Sequence, residues 1–301
     1  SLIYSLIVTA AALVLGVVLY AALKREKLSG QVNAMLFSTG IAPLITDLMI
    51  RYPNADVVGF TAGGVLLSIA VGLFIGFFLP AGLANAPKVH KGYSLYSAAV
   101  PIGLTAFFLR SVLYQVLGGT LPAPSTDLTV ASWTVANGFA IALFCLCIAA
   151  SFAMGGTLRE YGKLLGDSGY GVDFTQKYGN AVALMNLGVF GLFIVLYYNL
   201  IGATFNAVTL GCIFCMLSCC FSGSHPGNVW PIMVGYAAAS FLGKWLCVGE
   251  YAQAINAQAI VIGLCFANGL SPISGRYGWY WGTLAGAMHF CLVTSVPLLH
   301  G

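Results

Sequence analysis

Two short stretches carry the same pattern of helix-breaking and polar residues. Phe37-Ser-Thr-Gly40-Ile-Ala-Pro43-Leu recurs as Phe266-Ala-Asn-Gly269-Leu-Ser-Pro272-Ile, with Gly269 placed 229 residues after Gly40. A Gly-x-x-Pro break in an apolar helix frees backbone amides and carbonyls that can line a polar cavity. Ser38, Thr39, Thr46 and Asp47 stand beside the first break, and Asn268, Ser271 and Ser274 beside the second. The chemistry implied is the binding of a small polar or anionic solute, with Thr39, Gly40, Pro43, Asp47, Asn268, Gly269, Ser271 and Pro272 as binding residues. The plainer alternative is close packing, because Gly and Pro are common in membrane helices.

A third polar stretch, Ser222-Gly-Ser-His225-Pro-Gly-Asn228-Val-Trp-Pro231, separates two apolar segments, and His225 and Asn228 join the candidate binding set. A histidine titrating near neutral pH could couple transport to protons, whereas the ordinary reading is a solvated turn with Trp230 at the interface. Asp47, Arg110 and Lys244 are ionisable residues near or within apolar segments, where charge is costly unless it pairs, snorkels or faces water. They imply either snorkelling side chains or an outer gate in which Asp47 pairs with Arg110 or Lys244. Cys212, Cys215, Cys219 and Cys220 recur at helical spacing, so a soft-metal path is conceivable, but ordinary small-residue packing is the preferred reading. No metal site and no cofactor are expected. His289 reads as a polar residue satisfied between helices.

The elements that position these residues follow from composition. Of 301 residues, 59% are hydrophobic and only 7% charged, too few charges to cover a water-soluble surface. Apolar runs of about 20 residues recur along the chain, the length of a membrane-crossing helix. Strands of a membrane barrel would alternate in and out, whereas the run from Val65 to Leu79 is apolar on nearly every face. The expected fold is therefore an all-α, polytopic transmembrane helix bundle of about ten segments: 2–23, 32–50, 57–80, 94–117, 130–154, 180–200, 203–221, 229–248, 255–273 and 278–298. The opening run Leu2 to Leu23 is too long for a signal-peptide core and reads as a span. All 9 cysteines fall in apolar runs, which argues against a disulfide framework. The net charge of +4 gives no reason to expect a nucleic-acid partner.

Basic residues orient the chain. If Lys24, Arg25 and Lys27 face the cytoplasm, then Lys88, Lys91, Arg159, Lys163, Lys177 and Arg276 do so as well. The polar stretch 155–179 reads as a cytoplasmic linker between a first membrane half, 1–154, and a second, 180–301. The motif recurrence extends to the preceding segments at the same offset, pairing Ile3 with Ile232, Ala10 with Ala239 and Leu13 with Leu242. Gly59 and Gly63 in one copy match Gly278 and Gly282 in the other. Segment one and its counterpart, segment eight, run in opposite directions, so the repeat is expected to have inverted topology. Seven segments per repeat would leave the chain incomplete at both ends.

At these motifs the sequence resembles an uncharacterised bacterial membrane family, domain of unknown function 1576. The resemblance rests on the two Gly-x-x-Pro stretches, on His90-Lys-Gly-Tyr-Ser-Leu-Tyr-Ser-Ala-Ala-Val-Pro-Ile-Gly103 and on His225-Pro-Gly-Asn-Val-Trp-Pro-Ile-Met233. It implies a multi-pass protein of the bacterial inner (plasma) membrane and carries no activity. The function expected from the residues is a secondary transporter or facilitator of a small polar or anionic solute, whose partners are that solute and the lipid bilayer, with a homo-oligomer left open. The alternative is a membrane-embedded enzyme acting on a lipid-linked substrate. It lacks support, because the chain has no HExxH, no GxSxG and no cluster of carboxylates or histidines.

Overall fold

The computed structural model describes residues 2–52, 59–116, 118–119, 130–246 and 253–295, with side chains from Ser5 onward. Every regular element among them is helical. Seven stretches are long and apolar enough to cross a membrane: Ser5–Lys24, Leu28–Arg51, Ala62–His90, Ala99–Val116, Trp133–Ala153, Asn180–Ile201 and Gln258–Tyr277. The chain is therefore a multi-pass membrane protein by its helices. The remaining expected segments differ for local reasons. Segment seven yields only the shorter Ala207–Phe221, because Asn206 starts the helix with a capping box in which its side chain accepts from Thr209 N–H. Segment eight forms a 21-residue helix, diluted by Asn228, Trp230, Pro231 and Lys244.

Contacts divide the chain into two compact units, Ser1–His90 with Ser97–Pro124, and Lys91–Tyr96 with Ser125–Gly301. The first holds α1 (Leu2–Lys24), α2 (Val32–Ser38), α3 (Ala42–Arg51), α4 (Ala62–His90) and α5 (Ala99–Arg110). A single 3-10 turn, Thr39–Ile41, separates α2 from α3, so the first Gly-x-x-Pro motif interrupts its helix without ending it. Leu13, Ile41, Ala42, Ile45 and Ile75 form the core where the broken helix meets α1 and α4. α5 passes into a π-helical turn, Ser111–Val116.

The second unit holds α6 (Trp133–Ala153), α7 (Leu158–Leu165), α8 (Phe174–Tyr178), α9 (Asn180–Ile201), α10 (Ala207–Ser218), α11 (Pro226–Leu246), α12 (Gln258–Ala267), α13 (Ser271–Tyr277) and α14 (Trp279–Ser295). Its core runs from Phe144 of α6 through Phe190, Ile194 and Tyr198 of α9 to Met216, Ile232, Tyr236, Leu264 and Phe290. α6 packs along α9, so the compact units do not divide at residue 154. The stretch 155–179 is not a bare linker either. Thr157 caps α7 and Asp173 caps α8, and the apolar faces so formed bury Tyr161, Leu164 and Phe174 against Val182 and Met185 of α9.

Each unit contains a helix pair that crosses backbone to backbone on a matching set of glycines. In the first, Gly16 of α1 lies against Leu73, Gly76 and Phe77 of α4, Gly76 lies against the Leu13 carbonyl, and Gly72 lies against Ala12. In the second, Gly235 of α11 lies against Thr283, Gly286 and Ala287 of α14, Gly286 lies against the Ile232 carbonyl, and Gly282 lies against Pro231. The two crossings match position by position. This register pairs Leu13 with Ile232, not with Leu242, and pairs Gly72 and Gly76 with Gly282 and Gly286. Gly59 and Gly63 have open space where a side chain would stand, so they belong to no such crossing. A loop of different length on each side of the broken helix explains why one offset could not align all three helices.

Candidate functional site

The second Gly-x-x-Pro motif interrupts its helix as the first does, by a 3-10 turn, Asn268–Leu270, between α12 and α13. α10 ends in a similar turn, Cys219–Phe221. A helix that tightens at its C-terminus leaves carbonyls without intrahelical donors, and here buried side chains supply the donors. Asn268 gives its Nδ2 hydrogen to Met216 O at 3.2 Å. Asn186 of α9 donates to Cys220 O at 2.8 Å and to Ser224 O at 2.9 Å. The hydroxyls of Ser224 and Ser271 share a hydrogen bond of 2.9 Å. Tyr96 donates to Cys215 O at 3.0 Å, and Leu95 N–H to Gly269 O at 2.9 Å.

These contacts, joined through the backbone stretches 216–220 and 268–271, link Asn186, Ser224, Ser271, Asn268 and the carbonyls of Met216 and Cys220 in one circuit. All four side chains in it are buried. Because each asparagine faces carbonyl oxygens, its NH2 end must point at them. The Oδ1 atoms of both Asn186 and Asn268 are then left buried without a hydrogen-bond partner. A buried unpaired acceptor costs about 1–3 kcal/mol, so two in one circuit are unusual.

His225 and Asn228 sit beside the circuit, and neither is solvated. Asn228 accepts from His225 N–H at 3.0 Å and donates to Gly223 O at 2.8 Å, fixing the turn ahead of α11. His225 is 1% exposed, and its Nε2 lies 2.9 Å from the Asp167 carbonyl oxygen. That oxygen only accepts, so Nε2 carries the proton and Nδ1 is bare, and Nδ1 has no partner. Burial pushes the imidazole below its ordinary 6.5, against the opposing pull of the Asp167 carbonyl and carboxylate. The plainer alternative of a solvated turn therefore does not describe His225.

Asp167 was not among the residues singled out from sequence, yet it anchors this side of the unit. Its carboxylate accepts from Lys177 Nζ at 2.6 Å, Tyr178 Oη at 2.8 Å and Gly169 N at 3.0 Å. Burial raises its pKa, but these hydrogen bonds outweigh burial and hold the group below the usual carboxylate value. The turn that follows, Ser168-Gly169, is wedged by backbone: Gly169 lies against the carbonyl of Gly223, and Gly275 against that of Ser168. Outside it, the Arg276 guanidinium lies 4.4 Å over the Tyr170 ring, Tyr170 donates to Lys91 O at 2.8 Å, and Tyr93 and Tyr277 share a 2.6 Å hydrogen bond.

The first unit arranges its candidates differently. Thr39 returns its hydroxyl to Leu36 O at 2.6 Å, and Ser38 returns its own to Met35 O at 2.7 Å. Thr39, Gly40 and Pro43 are exposed, whereas Asn268, Gly269, Ser271 and Pro272 are buried. Thr46 meets Thr9 of α1 at 3.0 Å. Asp47 has its ion pair with Arg51, one turn on in the same helix, at 3.9 Å. That local partner, and not Arg110, is the one the first unit gives it. Lys244 is exposed near the end of α11. The sequence motif is thus duplicated while the polar surroundings of its two copies are not.

Asn186, Ser224, Tyr96 and Asp167 were missed as candidate site residues. Asn186 left a visible signal, a single amide inside the apolar run Ala181 to Val195. No spacing rule could have revealed Asp167, since its partners are assembled by the folding of 155–179.

The model of a family described as a protein of unknown function (DUF1576) matches residues 6–115 and 153–301. Both broken helices, Asn186 and the Ser222–Asn228 turn lie within the matched stretches, whereas nearly all of α6 lies outside them. No curated protein matches the chain, and no solved structure does. Spanning most of the chain and every element of the circuit, this match places the protein in the DUF1576 family.

Proposed function

We propose that this protein is a secondary transporter or facilitator of a small polar solute in the bacterial plasma membrane, and that the solute binds at the circuit of Asn186, Ser224, Asn268 and Ser271. The observation that carries the reading is the pair of buried, unpartnered amide oxygens, one on α9 and one at the break between α12 and α13. Interrupted helices with free polar groups are the usual binding elements of secondary transporters. The matched glycine crossings and the duplicated 3-10 breaks support an internal repeat. We read that repeat as inverted, which would let two halves expose one site to either side of the membrane in turn. Acceptors dominate the unpaired groups: Asn186 Oδ1, Asn268 Oδ1 and His225 Nδ1. They favour a solute bearing N–H or O–H donors over an anion.

Uptake into proteoliposomes holding the full-length protein tests the reading, with a panel of radiolabelled amines, amino acids, polyols and carboxylates. Uptake of a donor-bearing solute that falls at least about tenfold in Asn268→Ala, the loss of one to two hydrogen bonds to a charged group, is the expected result. No uptake across the panel, with protein that remains folded, would overturn it.

A further inference from the structure

We infer that the circuit binds a monovalent hard cation, with Asn186 Oδ1 and Asn268 Oδ1 as two of its ligands; the inference rests on the circuit being the site proposed above. The two amide heads hang on the carbonyl of Met216 in α10 and that of Cys220 in the 3-10 turn after it, four residues apart in the chain. Four residues rising about 1.5–2.0 Å each set those carbonyls about 6–8 Å apart along the helix axis. On the other side, the Ser224 carbonyl holds the Asn186 amide and the Ser224 hydroxyl holds that of Ser271, three residues after Asn268.

Charge selects the occupant. α10 and α12 both end in 3-10 turns here, and Asn268 at the end of α12 touches Met216 near the end of α10. The carbonyls at both turns keep spare lone pairs, since each carbonyl oxygen can accept twice. Amide and carbonyl oxygens are hard ligands, suited to alkali and alkaline-earth cations more than to soft metals. They are also neutral, and among the described residues no group of three or more His, Cys, Asp or Glu gathers to hold a metal ion. A neutral oxygen set offers too little charge to offset the dehydration of a divalent ion, whereas interrupted transporter helices hold monovalent ions in this way. The nearby Tyr161 hydroxyl, also without a partner, can turn either lone pair or proton toward the region.

The test uses purified full-length protein, with Tm followed while sodium chloride replaces choline chloride at constant ionic strength, and with lithium and potassium as parallel arms. Binding to the folded state makes Tm rise with the logarithm of sodium concentration above Kd. Equilibrium binding of radioactive sodium gives the affinity directly. Asn186→Ala and Asn268→Ala should each raise the half-saturating concentration at least about tenfold, the scale of losing one ligand or its support. Wild-type protein that responds identically to choline and to all three alkali cations overturns the inference, whatever the variants do. An alkali-cation response unchanged in both variants overturns it too. Cation binding by protein that moves no solute in the uptake panel upholds the inference while the transport reading fails. Solute uptake that is indifferent to alkali cations, together with no binding, does the reverse.

Discussion

Ser224 and Ser271 face each other across 2.9 Å, one in the turn ahead of α11 and the other at the start of α13. Ser271 follows Asn268 by three residues, and the Ser224 carbonyl is held by Asn186. A single hydroxyl pair therefore ties the broken helix α12–α13 to the turn ahead of α11 and, through that turn, to α9.

Asn186 should be the most costly of these residues to lose. Asn186→Leu leaves the carbonyls of Cys220 and Ser224 without donors in a buried setting, at about 1–3 kcal/mol for each unpaired group. Tm in detergent should fall by several degrees. Ser271→Ala, which removes one hydroxyl from a neutral pair, should cost about 1 kcal/mol. Equal Tm losses in the two variants would contradict the circuit as described.

The glycine crossings give a paired prediction. Gly76→Ala and Gly286→Ala both drive a methyl group into a carbonyl of the partner helix, Leu13 in one unit and Ile232 in the other. Overpacking of this kind costs about 1–3 kcal/mol. Gly211→Ala places the same methyl group in open space within α10. It should be neutral or stabilise by up to about 1 kcal/mol, because alanine loses less chain entropy than glycine. Chemical denaturation in mixed micelles ranks the three.

Acid should act in two steps. The His225 imidazole resists protonation when folded but accepts a proton when unfolded, so stability is complete above 6.5 and declines as pH falls below it. The Asp167 carboxyl is held below its ordinary 3.8 when folded, so its contribution is present above 3.8 and is lost as pH falls further through the folded value. Tm measured against pH should show the first decline in wild type and a shallower one in His225→Gln. Stability that rises between pH 6.5 and 5 would refute the burial of His225.

The aromatic group around Arg276 should protect the neighbouring chain. Arg276→Ala removes the guanidinium lying 4.4 Å over Tyr170, whose hydroxyl holds the Lys91 carbonyl. Cation–π contacts at exposed sites are worth about 0.5–1 kcal/mol, so tryptic cleavage after Lys91 should quicken about two- to fivefold. Arg276→Lys keeps the charge and should give an intermediate rate, read by mass spectrometry of timed digests.

Helical class, membrane character and the duplicated Gly-x-x-Pro motif were legible in the sequence because each depends on local composition. The conformation of both breaks followed from the motif itself. What surrounds them did not. Asn268 is buried on Met216, while its counterpart Thr39 is exposed and bonds within its own helix, a difference set by neighbours distant in the chain. A solvated turn stood as the plain alternative for His225 because nothing local reveals that the Asp167 carbonyl, within 155–179, comes to lie beside it. The offset of 229 residues does not extend to the two glycine crossings for a related reason. Apolar residues match at many offsets, and only the backbone contacts of Gly16 and Gly235 distinguish the register in which the helices cross.

The joint after the second broken helix is a single residue, Gly278, whose φ of +101° carries the chain from Tyr277 straight into Trp279. In the first unit the corresponding joint is the run from Tyr52 to Thr61, yet the helix that follows crosses its partner on the same glycine pattern. One architecture thus accommodates joints of very different length at the same point. A reporter peptide of about ten residues, spliced in beside Gly278, therefore has a natural precedent within the chain and offers an epitope for locating that joint from outside an intact vesicle.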